Sequence, residues 1–219
     1  MAQTIRVLST IAMRTVLDAA VPAFEHVHGV SVQRVINSSI ALMRRIAEGE
    51  TADVALFTTA AIDELIAQGK MLARIDLVRS GGAVAVCKGA PKPDIGTAEK
   101  FRQALLSAKS VAHSKTGASG IYFVSLIERL VIAEAVRAKA KVIDGVVAEL
   151  AARGEAELAI QQVSELMQSP GVDIVGPLPD ELQQITIFSA QMEAAKAFVA
   201  FLASPAQAAL IRANGMEPV

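Results

Sequence analysis

The chain has 219 residues, of which 53% are hydrophobic and 20% charged, and its formal net charge is -1. That composition supplies a sizeable core and excludes disordered, fibrous and disulfide-scaffold classes. Lys and Arg are dispersed along the chain, so no basic stripe offers itself to a polyanion and nucleic acid is not an expected partner.

The first segment, IRVLST, is short and β-rich, and MRTVLDAAVPAFEHVHG follows with Val16, Leu17, Ala20 and Phe24 at helical spacing before Gly29. The strand-then-helix pattern repeats as VSVQRVI with SIALMRRIAEGE, and as DVALF with TAAIDELIAQG. Three consecutive βα units predict a mostly parallel sheet. IDLVRSGGAVAVCKG then reads as two extended segments meeting at Gly81 and Gly82, the crossing into a second lobe. That lobe is expected to hold a helix near Glu99 to Ser107, a strand at SVAHS, a helix from about Ser119 to Ala138, a helix near Asp144 to Arg153, and the strands ELAIQ and VDIVG. ITIFSA carries the chain back to the first lobe, and the helices QMEAAKAFVAFLAS and PAQAALIRAN close it, with Pro205 suited to a first helical turn.

The expected class is α/β with two lobes, residues 1–79 with 187–219 and residues 82–185, a hinge at the two crossings and a ligand cleft between the lobes. A single doubly wound sheet fits the same periodicity. Cys87 lies in the apolar run GAVAVCKG and reads as a buried, inert thiol, which leaves no intrachain disulfide. Three histidines without HExxH spacing suggest no metal cage, no cofactor motif is visible, and no apolar run is long enough to span a bilayer. MAQTIRVLST enters a strand without a signal peptide. A cytoplasmic protein and a processed exported one both fit.

Three loops follow strands and open helices: residues 9–13, 37–42 and 113–123. Ser38 or Ser39 is placed to cap the helix after the second, and the third, HSKTGASGIYF, is rich in glycine and hydroxyls. Helix N-termini present N–H donors and a positive dipole end, so converging loops of this kind form an anion nest. Taken singly, each serine only caps its own helix.

The stretch HGVSVQRVINSSIALMRRIAEGETADVALF, with GASGIYF, ARGEAELAIQQ and PAQAALIRANGMEP in order, resembles the molybdate-binding proteins of ABC transporters, in a subgroup carrying QQxSEL. The resemblance covers nearly the whole chain and implies the two-lobed type II periplasmic-binding-protein fold, a small anionic ligand, a permease partner and a periplasmic location. It implies Ser39, beside Ser38, as a hydroxyl ligand. Ser119 and Asp144 fall where backbone amides donate, flanked by Thr116 and Gly120. The family's first-loop serine aligns with Ala12 and its binding tyrosine with Gln162, and Thr10 or Ser9 substitutes for the former. Losing two hydroxyl donors costs about 1.5–3 kcal/mol each toward a charged acceptor, and Gln162 suits a planar carboxylate at least as well as a tetrahedral anion.

The leading expectation is therefore a solute-binding protein for a small oxyanion or carboxylate. The alternative is an isomerase of a small carboxylate on the same fold, such as an aconitate isomerase, with His113, Lys115 and Glu165 as candidate bases. Lys115 otherwise adds countercharge, and Tyr122 reads as a core residue with a tethered hydroxyl.

Overall fold

In a computed structural model, residues 4–71, 73–192 and 196–219 are described. In chain order the strands are β1 Thr4–Thr10, β2 Ser31–Asn37, β3 Val54–Thr58, β4 Ile75–Cys87, β5 Val111–Ser114, β6 Ala140–Ile143, β7 Leu158–Gln162, β8 Val172–Pro177, β9 Ile185–Met192 and β10 Glu217–Pro218. The helices are α1 Arg14–His28, α2 Ser39–Ala47, α3 Thr59–Ala67, α4 Ala98–Ser107, α5 Ala118–Arg129, α6 Ala133–Arg137, α7 Ala148–Ala152, α8 Val163–Leu166, α9 Lys196–Leu202 and α10 Ala208–Ala213. Two compact units result, Met1–Arg79 with Thr186–Val219, and Ser80–Ile185.

In the first unit β1 pairs in parallel with β2 and β3, with Thr10 opposite Asn37, and β9 joins β3 antiparallel. Alternation along β1 and β3 sends Val7, Val54 and Leu56 to one face with α1, α9 and α10, where Phe24 meets Phe198 at 4.9 Å. Leu8, Ala55 and Phe57 go to the other face with Leu42 of α2 and Ile62 of α3. Gly29 and Gly69, at φ 64° and 69°, take the left-handed positions just beyond the ends of α1 and α3. Pro205 does open a helical turn, the 3₁₀ turn ahead of α10.

In the second unit β7 and β6 flank β5 in parallel, while β7 and β8 pair antiparallel with β4. One face of these strands carries Val84, Val86, Val111, Leu158 and Ile160 against α4, α5 and α6. The other carries Ala83, Ala85, Ala112 and Ala159, and this row of small side chains meets α7 and α8 through Leu150 and Leu166.

Several sequence expectations change. Gly81 and Gly82 do not divide two segments: β4 runs through them without interruption. Strand pairing brackets the two glycines, with Arg79 opposite Glu217 of β10 and Gly82 opposite Gln162 of β7, and Gln183 adds to it: its Oε1 accepts from Gly82 N at 2.8 Å and its Nε2 donates to Gly82 O at 3.0 Å, while a Cβ on Gly81 would sit 3.0 Å from the Gln183 side chain. A side-chain amide pairs with the strand where bulkier residues would exclude it. The helix expected over 119–138 is two, α5 and α6. Ile132 N donates to Ile127 O at 3.1 Å and Val131 N to Glu128 O at 3.0 Å, the paired closure of a left-handed helix end, and Val131 occupies it at φ 55°. The helix expected from Asp144 starts only at Ala148, behind the turn at Gly145 (φ 92°). β6, α8 and β10 were not anticipated. Gln191 and Met192 belong to β9 rather than to the helix that follows, and part of that expected helix, residues 193–195, lies outside the described residues. Cys87 is half-buried rather than buried, with Sγ 3.8 Å from Ala152 O.

Candidate functional site

In the first unit the carboxyl ends of β2, β1 and β3 lie side by side, because Thr10 and Asn37 are in register and β1 also pairs with β3. Each end runs into a helix. Ser38, not Ser39, caps α2: its Oγ accepts from Ala41 N at 3.3 Å, and its own N–H donates to Asn37 Oδ1 at 2.8 Å. Ser39 is the first residue of α2, and its Oγ accepts from Thr58 N at 3.4 Å, linking the β2–α2 and β3–α3 junctions. Thr10 is 5% exposed, and neither its Oγ1 nor that of Thr15 in the first turn of α1 has a hydrogen-bond partner among the described residues. Ser9 bonds locally, Oγ to Thr10 O at 3.3 Å. Ala12 packs its methyl into the core of the first unit.

In the second unit β5 and β7 are parallel neighbours, and their carboxyl ends start α5 and α8. Ser114 Oγ accepts from Gly117 N at 2.9 Å and fixes the turn into α5. Gly120 is required there, since a Cβ would fall 1.9 Å from Ser114 O. Ser119 does not cap α5; it is 8% exposed, and its Oγ has no partner among the described residues. Ser164, in α8, is fully buried and likewise has an unpartnered Oγ.

The loop between β6 and α7 is tied down from two sides. Thr116 Oγ1 donates to Asp144 Oδ1 at 2.7 Å, and Lys115 N donates to Ile143 O at 2.8 Å. Gln161, 1% exposed, donates from Nε2 to Gly145 O at 2.8 Å and accepts at Oε1 from Val147 N at 2.8 Å. Its neighbour Gln162 is also buried, at the last position of β7. Thus Thr116, Asp144 and Gln161 belong to one bonded assembly with the start of α5, while Ser119 and Gly120 lie on that helix.

Buried polar groups are ordinarily hydrogen-bonded, so hydroxyls left over at strand carboxyl ends mark places where a ligand or water completes the set. Of the helices that follow these strands, α1, α2, α3 and α5 carry no acidic residue in the first turn, whereas α8 carries Glu165. In α1, α2, α3 and α5 the positive end of the helix dipole has no acid of the same turn beside it.

Of the candidate bases, His113 is 5% exposed, stacks on Phe123 at 5.3 Å and places Nδ1 3.2 Å from Ser114 O. Burial pushes its pKa down, against the opposing pull of that backbone contact. Glu165 is buried in α8, and Lys115 is exposed. Tyr122 is tethered, donating to Leu182 O at 2.7 Å with the Arg129 guanidinium over its ring. Sequence reasoning missed Thr15, Ser164 and Gln161. The first two sit in first helical turns among apolar residues, a pattern that signals helix entry and nothing more. Gln161 was overshadowed by Gln162, which carried the alignment.

Residues 5–217 match the family described as bacterial extracellular solute-binding protein. The chain belongs to this family, and its fold is the two-lobed α/β fold of periplasmic binding proteins. Among solved structures, the Azotobacter vinelandii periplasmic molybdate-binding protein superposes with TM-score 0.78 at 18% identity, covering 97% of this chain and 98% of that one. The sulfate-binding protein of Mycobacterium tuberculosis gives 0.76 at 18% identity over 99% and 87%. At such identities the likeness concerns the fold alone. A curated relative, the aconitate isomerase of a Pseudomonas species, is 39% identical over 99% of this chain and 88% of its own length.

Proposed function

We propose that this protein binds a small polycarboxylate of the aconitate class and isomerises it by proton transfer. The observation that carries the reading is 39% identity, nearly end to end, with an aconitate isomerase. The residues support it. The unpartnered hydroxyls of Thr10 and Ser119, Ser38 and Ser39 at the head of α2, and the loop held by Thr116, Asp144 and Gln161 are neutral donors and acceptors suited to carboxylate oxygens. Ala12 contributes only backbone, Gly120 permits close approach of the α5 amides, and Gln162 supplies an amide side chain where the resemblance places a tyrosine.

Moving the double bond of aconitate requires a proton to leave the methylene carbon, the electron pair to shift across the allylic system, and a proton to return at the other end. Glu165 is proposed as the group that carries this proton, since it is a buried carboxylate at the head of α8, whereas His113 is packed against Phe123. Hydroxyls and helix amides stabilise the carboxylate-conjugated carbanion.

A second reading, favoured by the family description and by the molybdate- and sulfate-binding neighbours, is a periplasmic receptor that delivers an anion to an ABC permease without chemistry. Incubation with cis-aconitate and chromatography of both isomers separates the two. Formation of trans-aconitate supports the isomerase. Unchanged substrate, with tight molybdate binding, supports the receptor.

A further inference from the structure

We infer that Arg14, at the start of α1, is the cationic residue that recognises a carboxylate group of the ligand. This deepens the proposed function and rests on its carboxylate reading. Arg14 is half-buried and opens a fifteen-residue helix whose first turn contains no acid. A cation there faces the positive end of the helix dipole, an unfavourable placement unless an anion joins it. The acid one helical turn away, Asp18, accepts instead from Arg34 Nη1 at 2.6 Å. Other half-buried arginines are matched: Arg45 holds Glu50, and Arg102 bonds Glu99 and Leu130 O. None of the ion pairs or hydrogen bonds among the described residues engages the Arg14 side chain.

Two further observations fall on the same junction. Thr10, the residue that precedes the 3₁₀ turn into α1, and Thr15, next to Arg14, both have buried hydroxyls without partners among the described residues. The Arg14 guanidinium and the hydroxyls of Thr10 and Thr15, which lack an acceptor among the described residues, share one need, an anion with planar oxygens. A carboxylate meets the guanidinium fork with two parallel bonds, and an ammonium cannot reproduce that geometry.

Calorimetric titration of the full chain with trans-aconitate and with molybdate, in parent, Arg14→Gln and Arg14→Lys, tests the assignment, with circular dichroism confirming that each variant folds. The expected result is parent binding of trans-aconitate weakened at least thirtyfold in Arg14→Gln, with Arg14→Lys recovering only part of the loss and ligand-free melting shifted by less than about 2 °C. Equal trans-aconitate affinity in parent and Arg14→Gln overturns the role of Arg14 while leaving the carboxylate reading standing. Parent binding of molybdate with no response to trans-aconitate overturns both.

Discussion

Replacing Gln161 with leucine isolates the clamp on the β6–α7 loop. The two side chains have similar volume, so packing is nearly preserved while both hydrogen bonds, each 2.8 Å, are removed. Val147 is 0% exposed, so its N–H loses its partner without gaining water and costs about 1–3 kcal/mol; the Gly145 carbonyl, half-buried, costs about 1 kcal/mol. The expected destabilisation is about 3 kcal/mol, or roughly 6–12 °C in melting temperature for a chain of this length. With no tryptophan and one tyrosine, far-ultraviolet circular dichroism during urea unfolding is the suitable probe. Because Asp144 is bonded to Thr116 at the entrance to α5, displacement of the loop also weakens trans-aconitate binding by about tenfold. A variant that unfolds within 1 kcal/mol of the parent and binds equally well would refute the clamp.

Further outcomes follow from individual contacts. Ser39→Ala weakens ligand binding at least tenfold in calorimetry while costing about 1 kcal/mol of stability, whereas Ser38→Ala, which removes the α2 cap, lowers stability by about 1 kcal/mol. Val131→Gly relieves a β-branched residue in the left-handed region and raises unfolding free energy by about 1 kcal/mol, measured by the same urea titration. His113 is held neutral by burial, so below the ordinary histidine range the unfolded chain takes up a proton that the folded chain refuses. Stability therefore falls as pH drops from that range toward the lower folded value, and His113→Leu flattens that slope; an unchanged slope contradicts the assignment.

The first unit was legible because its strands are short apolar runs and the helices between them close near glycine, so each strand–helix unit carries a clear stop. The second unit was read less well for specific physical reasons. α5 is closed by Val131 just beyond its end, a residue type that gives no stop signal, and β6 is the four-residue run AKVI with exposed Lys141 and Val142. β4 continues through Gly81 and Gly82 beside partners far along the chain, Gln162 of β7 and the Gln183 side chain. In the candidate site, hydroxyl-rich loops at helix entries were visible as a pattern. Which serine caps, which hydroxyl lacks a partner, and how Gln161 holds the 144–147 loop are consequences of tertiary placement that residue spacing does not encode.

Proton-transfer isomerisation on a binding-protein fold is open to proton NMR of cis-aconitate incubated with the protein in deuterium oxide. The expected result is appearance of the trans isomer with deuterium entering the carbon positions that exchange, and loss of both in Glu165→Gln with trans-aconitate binding retained. Undeuterated, unconverted substrate in the presence of folded protein that binds it would rule out proton transfer by this protein.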